Sequence, residues 1–343
     1  MDLPLLRDWA PDNNTSYPIA VMPIEVQQMA IEADGIKKKW REIHANGRGS
    51  ITPPETLYHY TDVHGLHGIV FSNNDSEIWL TDFRSTNDPT EGCHVKTLLE
   101  KSVAKNLPAN AVAALGYFRN PHGGMLAEAD EMLANFMWIA NNLDRRFLTS
   151  FSESENELSQ WVHYGAGGTG YCIGVSTESL LNQEYTAGDI TFKLQLIPVE
   201  YRLHIQTKMI NEFIADIAEC YEKHAPILST HSRALSTMYG EFDNLLRWFG
   251  SAYSLEFKNP HFSSEREWRL IVEVTRPDSI NAIPARSRVK GMGITWYVPA
   301  KCAVQSIMAG PKVEYEQFRA ACAPLMFTRL GKVRLSKSDI PLR

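Results

Sequence analysis

The sequence predicts an α+β fold with large helical insertions, and three observations carry that prediction. Short apolar or alternating runs, the mark of strands, fall at 57–61, 78–81, 146–152, 171–176, 194–202, 267–275, 293–298 and 302–308. Two long stretches, 91–146 and 205–257, instead space their apolar residues three and four apart, as helices do. Strands therefore cluster in the middle and late chain with helices inserted between them. A regular βαβ series would alternate the two.

Taken in order, residues 1–22 are broken by Pro and Asn and read as an irregular arm. A helix is expected from Pro23, with Val26, Met29, Ala33, Ile36, Trp40 and Ile43 on one face. Lys37, Lys38, Lys39 and Arg41 lie on the other, which reads as a solvated face rather than a nucleic-acid contact. Asn46-Gly47 ends the helix, and Pro53-Pro54 leads into Leu57-Tyr58-His59-Tyr60-Thr61. Strand alternation puts Tyr58 and Tyr60 on one face and His59 on the other. Asp62 is placed to cap a helix carrying Val63, Leu66, Ile69 and Val70.

Ile78–Thr81 is the next strand and runs into Arg84-Ser85-Thr86-Asn87-Asp88-Pro89. Within 91–146, Leu126, Ala129, Leu133, Phe136, Met137 and Ala140 form an apolar stripe suited to a core. A short helix over Glu157–Tyr164 separates the strands at 146–152 and 171–176. The helical stretch 205–257 has a turn near Pro226 and Ser229, and a closing helix runs from Glu314 to about Leu325. The domain reading is an arm and helix over 1–50, then one domain over 51–343 with insertions near 91–146 and 205–257.

Composition narrows the class. Hydrophobic residues are 44% and charged residues 22%, the balance of a globular chain. A net charge of −6 argues against a generally basic nucleic-acid wrapper. The five cysteines are scattered without CxxC spacing, which suggests reduced thiols in a cytoplasmic protein. The opening MDLPLLRDWAPDNN lacks the basic and apolar regions of a signal peptide, and no run is long enough to span a bilayer. No membrane association is expected. His59, His64, His67, Cys93 and His94 are close in sequence but lack HExxH or CxxC spacing, so no metal site is expected.

The polar cluster Glu265-Arg266-Glu267-Trp268-Arg269 opens a strand and would place Glu265, Glu267 and Arg269 on one face. Alternating charges of this kind often protect a sheet edge. Paired carboxylates also serve glycosidic cleavage, where one stabilises an oxocarbenium-like centre. The residues alone leave both readings open. No GxGxxG, GxxxxGK[ST] or nucleophile elbow accompanies them.

Five segments, LYHYTDVHGLHGIV, IWLTDFRSTNDPTE, FLTSFSESENELSQWVHYG, GYCIGVS and FSSEREWRLIVEV, together resemble a bacterial family of domains of unknown function, DUF2971. Their pattern in turn resembles the ADP-ribosyltransferase superfamily, over roughly residues 55 to 315. That resemblance implies an ADP-ribosyltransferase-like mixed or antiparallel sheet core, with NAD as co-substrate held without a Rossmann fingerprint. It assigns Glu267 to ribose binding and charge stabilisation as nicotinamide leaves, and Glu265 to orienting an acceptor. His59 matches the first-strand His that binds a ribose hydroxyl. Tyr60 follows it where better-known members often carry Gly.

Trp161 and Tyr164 share a helical face and are candidates to stack on nicotinamide, Tyr164 being the matching aromatic; packing of both into the core is the alternative. Ser150 and Ser152 resemble the strand motif that supports the site. Arg84 is a candidate partner for a cofactor phosphate, beside Asn87 and Asp88, whose Asn-Asp-Pro run is also good turn chemistry. His59, Tyr164 and Glu267 are expected to line one cleft. The implied function is ADP-ribose transfer to a protein or nucleic acid, in a toxin or phage-defence effector with an inhibitory or sensor partner. The rival readings are an NAD glycohydrolase or nuclease, and a non-catalytic nucleotide-sensing or interaction module.

Overall fold

The computed structural model describes residues 23–49, 51–71, 75–83, 93–115, 145–181, 183–187, 190–230, 232–274, 284–290, 293–328 and 330–342. The arm at 1–22, the Arg84–Pro89 loop and the apolar stripe at 126–140 lie outside them.

In chain order the elements are α1 (Ile24–Gly49), β1 (Thr56–Thr61), α2 (Val63–Leu66), a π turn His67–Phe71, β2 (Glu77–Asp82), α3 (Cys93–Asn106) and α4 (Ala109–Ala114). They continue with β3 (Arg145–Ser152), α5 (Leu158–His163), β4 (Tyr171–Ser176), α6 (Thr177–Leu181), β5 (Glu184–Ala187), β6 (Ile190–Lys193) and β7 (Gln195–Pro198). Last come α7 (Leu203–Leu228), α8 (Ser232–Tyr253), a 3-10 turn Pro260–Glu265, β8 (Glu267–Val274), β9 (Arg286–Lys290), β10 (Gly293–Lys301), β11 (Val304–Ala309), α9 (Tyr315–Met326) and β12 (Arg334–Lys337).

The result is a mixed α+β fold with a mostly antiparallel open sheet. Asp62 caps α2 as expected, its Oδ1 accepting from the Gly65 amide at 2.7 Å. The stretch expected as one strand over 194–202 is shorter, β7 ending at Pro198. The expected turn near Pro226 and Ser229 falls at the second of these residues: α7 continues through Pro226 to Leu228, and the turn follows at Ser229 and Thr230. The β5–β6 hairpin, β9 and β12 were not foreseen.

The chain divides into two compact units. One gathers Met1–Gly47, Gly92–Leu143 and Leu203–Ser254, and its described part is helical. Trp40 of α1 packs edge-on against Phe213 of α7 and Phe249 of α8, with centroids 5.6 and 5.7 Å away. Phe213 and Phe249 stack on each other at 4.2 Å.

The other unit, Arg48–Glu91, Asp144–Arg202 and Leu255–Arg343, holds the sheet. Its main path runs β12-β11-β4-β1-β3-β2-β10-β9, with β8 against β3 and β7 against β8. Every described ladder is antiparallel except β11–β12. Leu57, Phe151, Trp268, Leu270 and Val272 contribute to the large buried core.

The branching at β3 matters for the site. β8 pairs with β3 along its whole length, from Arg145↔Val274 to Ser152↔Glu267. A strand has two edges, so β2 and β1 must share the other one. β2 takes Phe147 and Leu148, whereas β1 pairs at Tyr58↔Ser152 alone. The sheet thus forks beside Thr149, Ser150 and Phe151.

Candidate functional site

The β3–β8 register sets Ser152 opposite Glu267 and Ser150 opposite Arg269, so all four side chains leave the same face. Ser150 Oγ donates to Glu267 Oε1 at 2.5 Å. Arg269 grips the same carboxylate with Nε on Oε1 at 2.9 Å and Nη2 on Oε2 at 3.2 Å. Lys258 Nζ adds a contact to Oε2 at 2.9 Å.

Glu267 and Arg269 are buried, so these are desolvated charges that must be paired. Burial pushes the Glu267 carboxyl upward, but Arg269, Lys258 and the Ser150 hydroxyl outweigh it and hold the group down at about 2. The carboxylate is therefore ionised at neutral pH. The protective edge-charge reading does not hold, because β8 lies between β3 and β7.

Glu265 corrects a local expectation. It is not on the strand with Glu267 but ends the 3-10 turn, and Arg266 then takes a left-handed backbone conformation with φ 44°. That reversal is uncommon for a residue with a Cβ and is the kind of strain found at functional sites. It turns Glu265 toward Lys258, whose Nζ donates to Oε2 at 2.5 Å, while the Tyr164 hydroxyl donates to Oε1 at 3.2 Å. Lys258 thus bridges Glu265 and Glu267. Burial works against its charge, but the two carboxylates prevail and raise its pKa. Burial likewise raises the Tyr164 and Tyr201 hydroxyls, so both remain protonated. The Tyr201 oxygen accepts the Glu267 amide at 3.3 Å.

His59 does not share this face. It leaves β1 opposite Tyr58 and Tyr60, on the side of Leu57 and Phe151, and its ring meets Phe151 edge-on at 5.9 Å. Its Nδ1 lies 3.0 Å from the Ser150 carbonyl, in the fork where β1 has parted from β3. A carbonyl only accepts, so Nδ1 carries the proton. Burial lowers the His59 pKa, with the carbonyl bond opposing, so the ring is neutral at neutral pH. The expectation that His59, Tyr164 and Glu267 line one cleft is thereby corrected. His59 meets Ser150 at its carbonyl, whereas Glu267 meets it at its hydroxyl.

The other expected site residues separate by burial. Trp161 is fully buried, donates Nε1–H to Asn156 at 2.8 Å and packs on Tyr60 at 4.9 Å; it is a core residue with no face left for a cofactor. Tyr60 is buried as well, its hydroxyl donating to the Ser154 carbonyl and accepting from the Glu157 amide. Tyr164, by contrast, is 43% exposed and presents its ring. Ser152 is structural, since its hydroxyl donates to the Glu265 carbonyl and accepts from the Ser154 amide. Arg84 lies outside the described residues. Among the clustered histidines, His94 pairs with Gln206 at 2.8 Å and His67 stacks on Phe71.

Residues 160–270 match the family model of Protein of unknown function (DUF2971). That stretch carries Tyr164, Tyr201, Lys258, Glu265, Glu267 and Arg269, while His59 and Ser150 precede it. The match supports the expected family. Neither a curated protein nor a solved structure matches the chain. Among the described residues no helix is long and apolar enough to cross a membrane.

Proposed function

We propose that this protein is an NAD-dependent ADP-ribosyltransferase that moves ADP-ribose to a protein or nucleic acid. One observation carries the reading: an ionised, rigidly held carboxylate, Glu267, is linked through Lys258 to a second, Glu265, which the exposed Tyr164 touches. In the reaction, the bond between ribose C1′ and the nicotinamide nitrogen breaks and its electron pair leaves with nicotinamide. The positive charge left on the ribose is stabilised by Glu267 more than the ground state is. The acceptor then bonds to C1′ and gives up its proton.

Four donors already occupy the Glu267 oxygens. In this mechanism a ribose hydroxyl engages Oε2 by replacing Lys258, which stays on Glu265. Tyr164 stacks on the nicotinamide, and Glu265 orients the acceptor. The resemblance extends the proposal to a toxin or phage-defence setting.

A second reading, a non-catalytic nucleotide-sensing or interaction module, is favoured by the same four donors, since a fully satisfied buried carboxylate also serves structure. Incubation of the purified protein with labelled NAD and cell lysate separates the readings. Label on macromolecules supports transfer, and free ADP-ribose alone supports hydrolysis. Nucleotide binding without turnover supports the module.

A further inference from the structure

The helical unit holds a group of side chains that the proposed chemistry does not use. Cys220 and His224 are one turn apart on α7, so both point the same way, toward Glu32 of α1. The thiol sulfur, an imidazole nitrogen and a carboxylate oxygen all lie within 4.8 Å of one another. Cys220 and His224 are buried, while Glu32 is partly exposed. His224 Nε2 lies 3.0 Å from Glu32 Oε2, and Lys223 Nζ lies 2.5 Å from the same oxygen.

We infer that Glu32, Cys220 and His224 form a binding site for a transition-metal dication of the zinc class. A sulfur, a nitrogen and an oxygen donor suit a borderline ion, and three protein ligands leave a fourth position for water or another ligand. With metal–ligand bonds of about 2.0–2.3 Å, the 3.0 Å hydrogen bond between His224 and Glu32 must open so that both atoms face the ion, the imidazole keeping its proton on the other ring nitrogen. The charges also close. A dication with one thiolate, one carboxylate and a neutral imidazole is net neutral, which suits a buried place. On binding, the Cys220 thiol proton passes to solvent as the metal–sulfur bond forms. Lys223 now supplies the cation for Glu32, and its exposed, flexible stem lets it withdraw when the metal takes that role.

The test is titration of the reduced full-length protein with cobalt(II) alone, and separately with zinc(II) alone. One equivalent should bind, and cobalt should give the near-ultraviolet absorption of a thiolate-to-metal transition. Cys220→Ser should lose that band and bind more than about 100-fold more weakly, since losing even a residue that only supports a ligand costs 10–100-fold. Glu32→Gln, on a partly exposed side chain, should weaken zinc binding and keep the band. Absence of the band in wild-type protein at metal excess would overturn the site. So would full band intensity in a folded Cys220→Ser protein, or unchanged affinity in Glu32→Gln.

Discussion

Ser150 Oγ and Glu267 Oε1 lie 2.5 Å apart, joining two strands that are 117 residues distant in sequence. The hydroxyl completes a shell whose other members, Arg269 and Lys258, are charged. Ser150→Ala removes one donor and leaves both cations in place. It should cost about 1.5–3 kcal/mol of stability, the range for a hydrogen bond to a charged group. Nicotinamide release should fall without loss of the fold. Thermal unfolding and steady-state rates, measured on the same preparation, check both parts.

Acid should probe the same shell. The folded Glu267 pKa, about 2, lies below the ordinary carboxylate value of 4.5, so its contribution is present above pH 4.5 and is lost as pH falls toward 2. Thermal unfolding across that window should show a steep loss of stability. In Glu267→Gln the loss over the same window should be shallower. Parallel curves for the two proteins would show that the group gains nothing from its partners.

The two aromatic residues of the α5 region should respond differently. Trp161→Ala empties a fully buried site and should cost about 3–5 kcal/mol. Tyr164→Ala removes a half-exposed ring and one hydrogen bond to Glu265, and should lower the unfolding midpoint less than Trp161→Ala does. On the proposed reading it should also weaken NAD engagement by about 1–3 kcal/mol, the scale of one base–aromatic stack. Midpoints and KM values for the pair decide the matter.

Glu265 and Glu267 should separate by reaction. Glu265→Ala should lower transfer of labelled ADP-ribose more than it lowers NAD hydrolysis, because Glu265 faces Tyr164 and Lys258 rather than Arg269. Equal loss of both activities would remove the distinction between the two roles.

Local chemistry was legible in the sequence where it decided structure. Asp62 announces its helix, and the apolar run Tyr171–Ser176 is β4 with the same bounds. Long-range geometry was not. Lys258 sits in an irregular stretch with no pattern to show that it bridges two carboxylates. The left-handed Arg266 that takes Glu265 off the strand has no glycine to signal it. Alternation did place His59 opposite Tyr58 and Tyr60, but only the β1–β3–β8 register shows that Glu267 belongs to the tyrosine face. The approach of Glu32 to Cys220 and His224 is likewise a product of helix packing across the helical unit.

The most direct measurement is nicotinamide release from saturating NAD by wild-type protein and by Glu267→Gln. Neutralising Glu267 leaves buried Arg269 without its carboxylate charge, so the variant should lose about 3–5 kcal/mol of stability. The assay therefore belongs well below its unfolding midpoint, with Ser150→Ala as the better-folded companion. In folded protein, turnover should fall ~10²–10³-fold on loss of this preorganised charge. Wild-type turnover by folded Glu267→Gln, or no release at all by the wild-type protein, would contradict the proposed chemistry.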